Sequence, residues 1–440
     1  MEKALIGCLA FVAAMAPLPI SGQQTGVDSL KLEVARLRAQ VDSLLALRQS
    51  DPAAQPEEED PIARLRSAAA EAAGQRPAAE GADDEPGAGP QVFSGRQRSL
   101  QALNPEISVT GNFFGLVNED DANADNFVAR EFEFSFQSAL DPYSRARVYV
   151  AHHVEGGDLE AFDGGHAEEE GGHEGTTEVE EGYIQWVNLP GGLGITLGKF
   201  RQRLGSYNRW HAHALPGQGY FLPYKTFLGE EGLAQTGAAV HWLAPFGGGT
   251  YEASFEVTRS GNANMFGDSN EPSFLGHVNA FWDLSPSTYL ELSVSGLTGD
   301  FVGDAGERFR NQLLHLEGGL NWRPPSRSIN RELNLRGAVM FNDREALPGV
   351  SAGESALGAF GLAEFKFHQQ WIAGMRYDYV ENPLNTAETA WMLAPTLTWW
   401  QSEWVRVRAE YDVLDGPLGR VGQFMLQFTF AMGPHKHETY

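Results

Sequence analysis

The chain has 440 residues, a formal net charge of -26, 11% aromatic residues and 50 glycines. That acidic balance argues against nucleic-acid binding, which needs a basic face, and no stretch after the N-terminus has the unbroken apolar run of a membrane helix. A mean hydropathy of -0.31 leaves a transmembrane barrel open, because barrel strands are apolar only at alternate positions.

Residues 1–22 read as a secretory signal. Lys3 supplies the positive start, 4–16 the apolar stretch, and Ser21 and Gly22 the small residues before polar Gln23. Its removal takes away Cys8, the single cysteine, which suits an exported protein with no disulfide. Over 23–50, Val27, Leu30, Val34, Leu37, Val41 and Leu44 alternate at spacings of three and four. This is the seam of a short coiled coil, and Val at a with Leu at d points to a dimer. Residues 51–104 carry EEEDP and GADDEPGAGP, which cannot build a core and predict a flexible acidic linker. The whole N-terminal region is expected in the periplasm.

From 105 to 432 the pattern changes to strict alternation. Phe132, Phe134 and Phe136 share one face, Glu131, Glu133, Ser135 and Gln137 the other. Leu333, Leu335, Val339 and Phe341 likewise oppose Asn334, Arg336 and Asn342, and Val405, Val407, Tyr411 and Val413 oppose Arg406, Arg408, Glu410 and Asp412. About sixteen such segments occur, joined by short links such as Asp141-Pro142 and Ser285-Pro286 that alternate with longer ones such as 156–176 and 204–232. Trp186, Trp242, Trp282, Trp322, Trp371, Trp399, Trp400 and Trp404 all lie near short links, as an aromatic girdle at one membrane interface would. The predicted fold is therefore all-β: a sixteen-stranded antiparallel transmembrane β-barrel, with 433–440 as a tail. Its surroundings are outer-membrane lipid and lipopolysaccharide.

The densest stretch is 199–232, KFRQRLGSYNRWHAHALPGQGYFLPYKTFLGEEG. It holds Lys199, Arg201, Arg203, Arg209, His211, His213 and Lys225 among aromatic and Gly-Pro punctuation, and it is too poor in alternation for a strand. A long, ordered loop after the fifth strand predicts a constriction of the pore. Arg209 and Lys225 would bias passage towards anions, and His211 and His213 would be neutral at pH 7, gaining charge below about 6.5. Lys199, Arg201 and Arg203 share parity with lipid-facing Ile195 and Leu197, so the strand is expected to leave the hydrocarbon at Lys199. On the inner face both signs of charge occur, which predicts a transverse field of weak selectivity, with a basic path towards Arg406 and Arg408 as the sharper alternative. There, parity also places Arg147, Glu317, Arg336, Arg376 and Asp378, all expected to face water because charge facing lipid is costly.

EEGYIQW, LPGGLGITLGKFRQRLGSYNRWHAHALP and LPYKTFLGEEGL resemble bacterial outer-membrane porin-like proteins related to the phosphate-selective porins O and P. Some of these relatives are labelled as zinc-regulated outer-membrane proteins. The resemblance covers about 180–245 and implies a sixteen-stranded pore, often trimeric, with a constriction loop after the fifth strand. The chain departs from that pattern in ending FTFAMGPHKHETY, and its basic residues match the family's basic ladder only around GKFR.

Around 152–181, His152, His153, His166 and His173 accompany Glu168, Glu169, Glu170 and further carboxylates without Lys or Arg. Imidazole with carboxylate suits weak binding of zinc or another divalent metal, while the spacing matches no structural or catalytic metal motif. No resident cofactor is otherwise implied. No nucleophile elbow, P-loop or Rossmann glycine pattern stands out, so no enzyme is expected. The sequence thus predicts a channel for passive diffusion of small solutes, with a bias towards anions. The alternatives are an outer-membrane metal-binding or uptake protein and a structural envelope tether worked by the coiled coil.

Overall fold

The computed structural model describes residues 105–119, 126–154, 159, 161–162, 175–244, 248–303, 306–345 and 353–433. The signal, the coiled coil, the linker, the residues 434–440 of the tail, and His166, His173, Glu168, Glu169 and Glu170 lie outside the described residues.

Sixteen strands follow one another: β1 Glu106–Asn118, β2 Asn126–Ala139, β3 Ser144–His153, β4 Thr176–Leu189, β5 Leu193–Arg201, β6 Ala234–Ala244, β7 Thr250–Arg259 and β8 Pro272–Ser285. The second half comprises β9 Thr288–Val302, β10 Arg308–Trp322, β11 Glu332–Arg344, β12 Glu354–His368, β13 Trp371–Asn382, β14 Asn385–Trp400, β15 Val405–Gly416 and β16 Gly419–Met432. Each pairs antiparallel with its sequence neighbours, and β1 closes on β16, from Val109↔Met432 to Asn118↔Gln423. Closure leaves no unpaired edge, the condition for β-structure in a bilayer. The predicted sixteen-stranded antiparallel barrel is the one found.

The two faces are inverted relative to a soluble protein. Phe134, Phe136, Leu316, Leu335, Val339 and Phe341 are exposed, whereas Glu131, Glu133, Gln137, Asn342, Asp378 and Gln427 are buried. Period-two alternation produces this directly, since successive side chains point to opposite sides of the sheet. At the closing seam the Phe430 ring lies over Gly111, where an added Cβ would come within 2.3 Å of the ring. Phe430 thus covers a backbone that carries no side chain of its own.

At the end where even strands turn into odd ones, the links are mostly short, and Trp242, Trp322 and Trp404 are exposed there. At the opposite end lie the two long links 154–175 and 202–233. That end also has two-residue turns, 383–384 and 417–418, so its loops are not uniformly long.

A bulge in β4 breaks the alternation. Tyr149 pairs with Glu181 and Val150 with Val179, so Glu180 is an extra residue on β4. Such a bulge places two consecutive side chains on the same side. Glu180 and Glu181 are accordingly both buried.

Candidate functional site

The link 202–233 folds into the barrel lumen. Its neck is closed by backbone, Gln202 N–H donating to Leu233 O at 3.0 Å, and by buried Asn208. The Asn208 Nδ2 donates to Gln202 O (2.8 Å) and Leu233 O (3.0 Å), and its Oδ1 accepts from Leu233 N (2.8 Å). Two 3-10 turns, Tyr207–Arg209 and Ala212–Ala214, lead to a short helix, α1, Leu222–Leu228. Pro223 starts α1, where a missing N–H costs nothing, and Gly229 ends it at φ 81°.

One side of the loop is apolar and packs on an apolar part of the inner wall. Tyr207, Tyr220, Phe221, Tyr224 and Phe227 are buried against Leu275, Leu297, Leu313, Met340, Phe360 and Met392. Phe221 stacks on Phe360 with centroids 3.8 Å apart. At about 1.5–3 kcal/mol per fully buried large side chain, these five rings stabilise docking by at most roughly 15 kcal/mol. The inner wall is therefore not polar throughout, and parity by itself did not show the apolar patch.

The other side of the loop has backbone carbonyls that no strand satisfies, and wall arginines take them. Arg406 donates to His213 O, Arg408 to Gly217 O at 2.9 Å, and Arg376 to Gly219 O at 3.2 Å and Tyr220 O at 2.9 Å. Arg406 and Arg408, expected along an open basic path, are buried under the loop. The expectation that the inner charges face water is likewise corrected for Arg376, Asp378, Glu317 and Arg147, which are all buried. Partners on the inner wall or the loop take up these groups: Arg376 Nη2 lies 2.7 Å from Asp378 Oδ2, Arg336 pairs with Glu317 and Glu291, and Arg147 Nη1 donates to the Tyr183 hydroxyl at 3.4 Å.

Lys199 keeps the outward parity of Leu197, and its ammonium reaches Val179 O at 2.7 Å and Glu178 at 3.9 Å. Arg201 does not follow that parity. It is buried, with Nη1 on the Tyr220 hydroxyl and Glu231 O (both 2.8 Å) and Nη2 on Glu180 (3.1 Å). Phe200 and Arg201 are both buried, so the alternation fails at the end of β5, opposite the bulge in β4. Arg203 pairs with Glu252, and Lys225 with Glu230 at 3.1 Å.

His211 lies among carboxylates. Its Nδ1 is 2.6 Å from Glu180 and 2.7 Å from Glu133, and its Nε2 is 2.8 Å from Glu181. Burial opposes the charged imidazolium, but Glu133 and Glu180 outweigh it and hold the pKa well above the ordinary value. With only these groups facing it the imidazolium form is favoured, which departs from the expectation of a neutral imidazole. His213 Nδ1 is 3.3 Å from Glu131. His153 Nε2 is 3.5 Å from Glu180, while the ring of His152, on the same strand, is half-buried and bonds Thr177. The structure thus brings His153, His211 and His213 together and leaves His152 apart.

A cavity remains between the loop and β3–β7, walled by four arginines, Arg147, Arg201, Arg203 and Arg209, against two glutamates, Glu181 and Glu256. Burial, then Arg209 beside it, lower the affinity of the Arg203 guanidinium for its proton.

No family model matches the chain. An uncharacterized protein of Aquifex aeolicus (strain VF5) is 24% identical over 308 residues, which are 58% of this chain and 62% of that protein; the match therefore spans less than two thirds of that relative. Among solved structures, OprB of Pseudomonas putida superposes with a TM-score of 0.51 at 10% identity, covering 77% of this chain and 96% of that one. A loop L8 deletion mutant of OmpT, an outer membrane protein of Vibrio cholerae, superposes with a TM-score of 0.50 at 12% identity, covering 75% and 99%. The likeness is one of fold: the closed antiparallel barrel is shared with outer-membrane proteins.

Proposed function

We propose that the protein is an outer-membrane, porin-like channel for passive diffusion of small anionic solutes, with 202–233 as its constriction. The observation that carries this reading is the long loop after β5, folded inward and bonded to opposite walls of a closed barrel. Sixteen strands enclose a lumen wide enough for water, so whatever narrows it sets passage. The shared barrel fold with outer-membrane proteins supports the membrane, and the resemblance of 180–245 to the phosphate-selective porins supports an anionic solute.

Charge supports the same direction. Arg406, Arg408 and Arg376 are occupied in holding the loop, and Lys225 is paired. Arg147, Arg203 and Arg209 line a cavity beside the loop. A cationic wall in a low-dielectric channel attracts anions and repels cations. The test is planar-bilayer recording of the full chain and of Arg147→Ala/Arg209→Ala in a salt gradient. The expected result is a reversal potential shifted towards cations in the variant. An unchanged reversal potential would mean that ions do not pass this cavity.

A further inference from the structure

The loop meets β2, β3 and β4 at a cluster that the channel reading leaves unexplained. Ligand atoms of Glu131, Glu133 and His213 lie within 4.8 Å of one another, as do those of Glu131, His153 and Glu180, and those of Glu133, Glu180 and His211. The three triads share their carboxylates: each of the three glutamates belongs to two triads and each histidine to one. The carboxylates are thus central and the imidazoles peripheral. All three glutamates, His211 and His213 are buried.

Two independent observations show carboxylate oxygens that the donors of the protein, Arg201 on Glu180 included, leave unsatisfied. Glu131 Oε2 and Glu133 Oε1 are buried and accept no hydrogen bond among the described residues, although each glutamate is 1% exposed. A buried carboxylate oxygen without a donor is costly. Secondly, His211 Nδ1 lies at 2.7 and 2.6 Å from oxygens of two different carboxylates. One N–H cannot point at both, and Glu133 Oε2 is left without a hydrogen bond. Glu181, brought inward by the bulge, sits 2.8 Å from the opposite ring nitrogen. A carboxylate accepting Nε2–H fixes the tautomer that presents the Nδ1 lone pair, the usual support of a metal-bound histidine.

We propose that Glu131, Glu133, Glu180, His153, His211 and His213 hold one divalent transition-metal ion, of which zinc is the best-suited probe, and that the ion ties the loop to the β2–β4 wall. Mixed imidazole and carboxylate donors select zinc, copper or nickel over magnesium and calcium, which prefer all-oxygen shells. The ion satisfies the orphan oxygens, and because two ligands sit on the loop and four on the wall, its binding is linked to loop docking. The proposal needs the loop against the wall and does not depend on which solute passes.

The test uses the full chain, folded in detergent, stripped with chelator and titrated with zinc chloride by calorimetry at pH 7.5 in millimolar magnesium. We expect one zinc per chain with micromolar or tighter affinity. Glu131→Gln/Glu133→Gln should weaken it at least tenfold, and Glu181→Gln, which removes no proposed ligand but alters the hydrogen bond to His211 Nε2 and the one accepted from Arg201 N, about 10–100-fold. His166→Ala/His173→Ala should leave it unchanged. Absence of zinc uptake overturns the proposal, as does equal affinity in Glu131→Gln/Glu133→Gln or loss of binding in His166→Ala/His173→Ala. If the glutamine variant fails to fold, anomalous scattering at the zinc edge from wild-type crystals decides. A peak among the three carboxylates upholds the site, and a peak elsewhere or none rejects it.

Discussion

Arg376 offers the most direct test of how the loop is held. Its guanidinium lies 4.7 Å above the Phe221 ring, donates to the Gly219 and Tyr220 carbonyls, and pairs with Asp378, whose Oδ2 also accepts from Leu222 N at 2.9 Å. Arg376→Met keeps the apolar stem but removes the guanidinium and with it every donor. Asp378 is fully buried and would keep a single backbone donor, and two loop carbonyls would lose theirs. Breaking a buried ion pair from one side costs about 3–5 kcal/mol. Because the loop can lift to rehydrate these groups, the cost falls on docking. A change of about 4 kcal/mol shifts the docked-to-lifted ratio by nearly three orders of magnitude. The rings packed on Phe360 oppose full release, so the expected state is a docked loop that opens often. Single-channel recording should show frequent excursions to higher conductance. Trypsin should cut the folded barrel faster at Arg209 and Lys225. Arg376→Met/Asp378→Asn, which removes the stranded charge, should recover part of both properties. Wild-type conductance noise together with wild-type trypsin resistance in Arg376→Met would refute the reasoning, since it would mean that the pair does not hold the loop.

Two further outcomes test other levels of the structure. Asn208→Ala deletes three hydrogen bonds at the loop neck and leaves Leu233 N without its Oδ1 acceptor; it should cost about 1–3 kcal/mol, read as a lower midpoint of urea unfolding in vesicles, whereas Asn208→Asp should lose only the two donated bonds. Val339→Arg puts a charge on the exposed outer face of β11 and should destabilise the inserted barrel by about 2–4 kcal/mol if that face meets mid-bilayer; the gel-shift fraction folded into vesicles measures it, with Val339→Ile as the neutral control.

The strand pattern was legible in the sequence because alternation is local. Phe132 to Phe136 against Glu131 to Gln137, and Val405 to Val413 against Arg406 to Asp412, separate an apolar face from a polar one without any knowledge of partners, and short links between such runs allow only antiparallel neighbours. The loop's order was also legible, from its aromatic and Gly-Pro content. Its destination was not. The residues that receive it, Phe360, Met340, Arg376, Arg408 and Glu131, lie far away in sequence, and they meet the loop only because the barrel closes and brings every inner face to one lumen. Parity assigned Arg406 and Arg408 to the inside correctly, but whether an inner arginine borders water or holds a carbonyl depends on what fills the lumen. The bulge at Glu180 is of the same kind. Two adjacent glutamates in an alternating strand look like one inner and one outer residue. Only the register against Tyr149 and Val150 turns both inward, where they meet His211 from a loop thirty residues further along the chain. Local pattern decides which side of a strand a residue takes; barrel closure decides what it finds there.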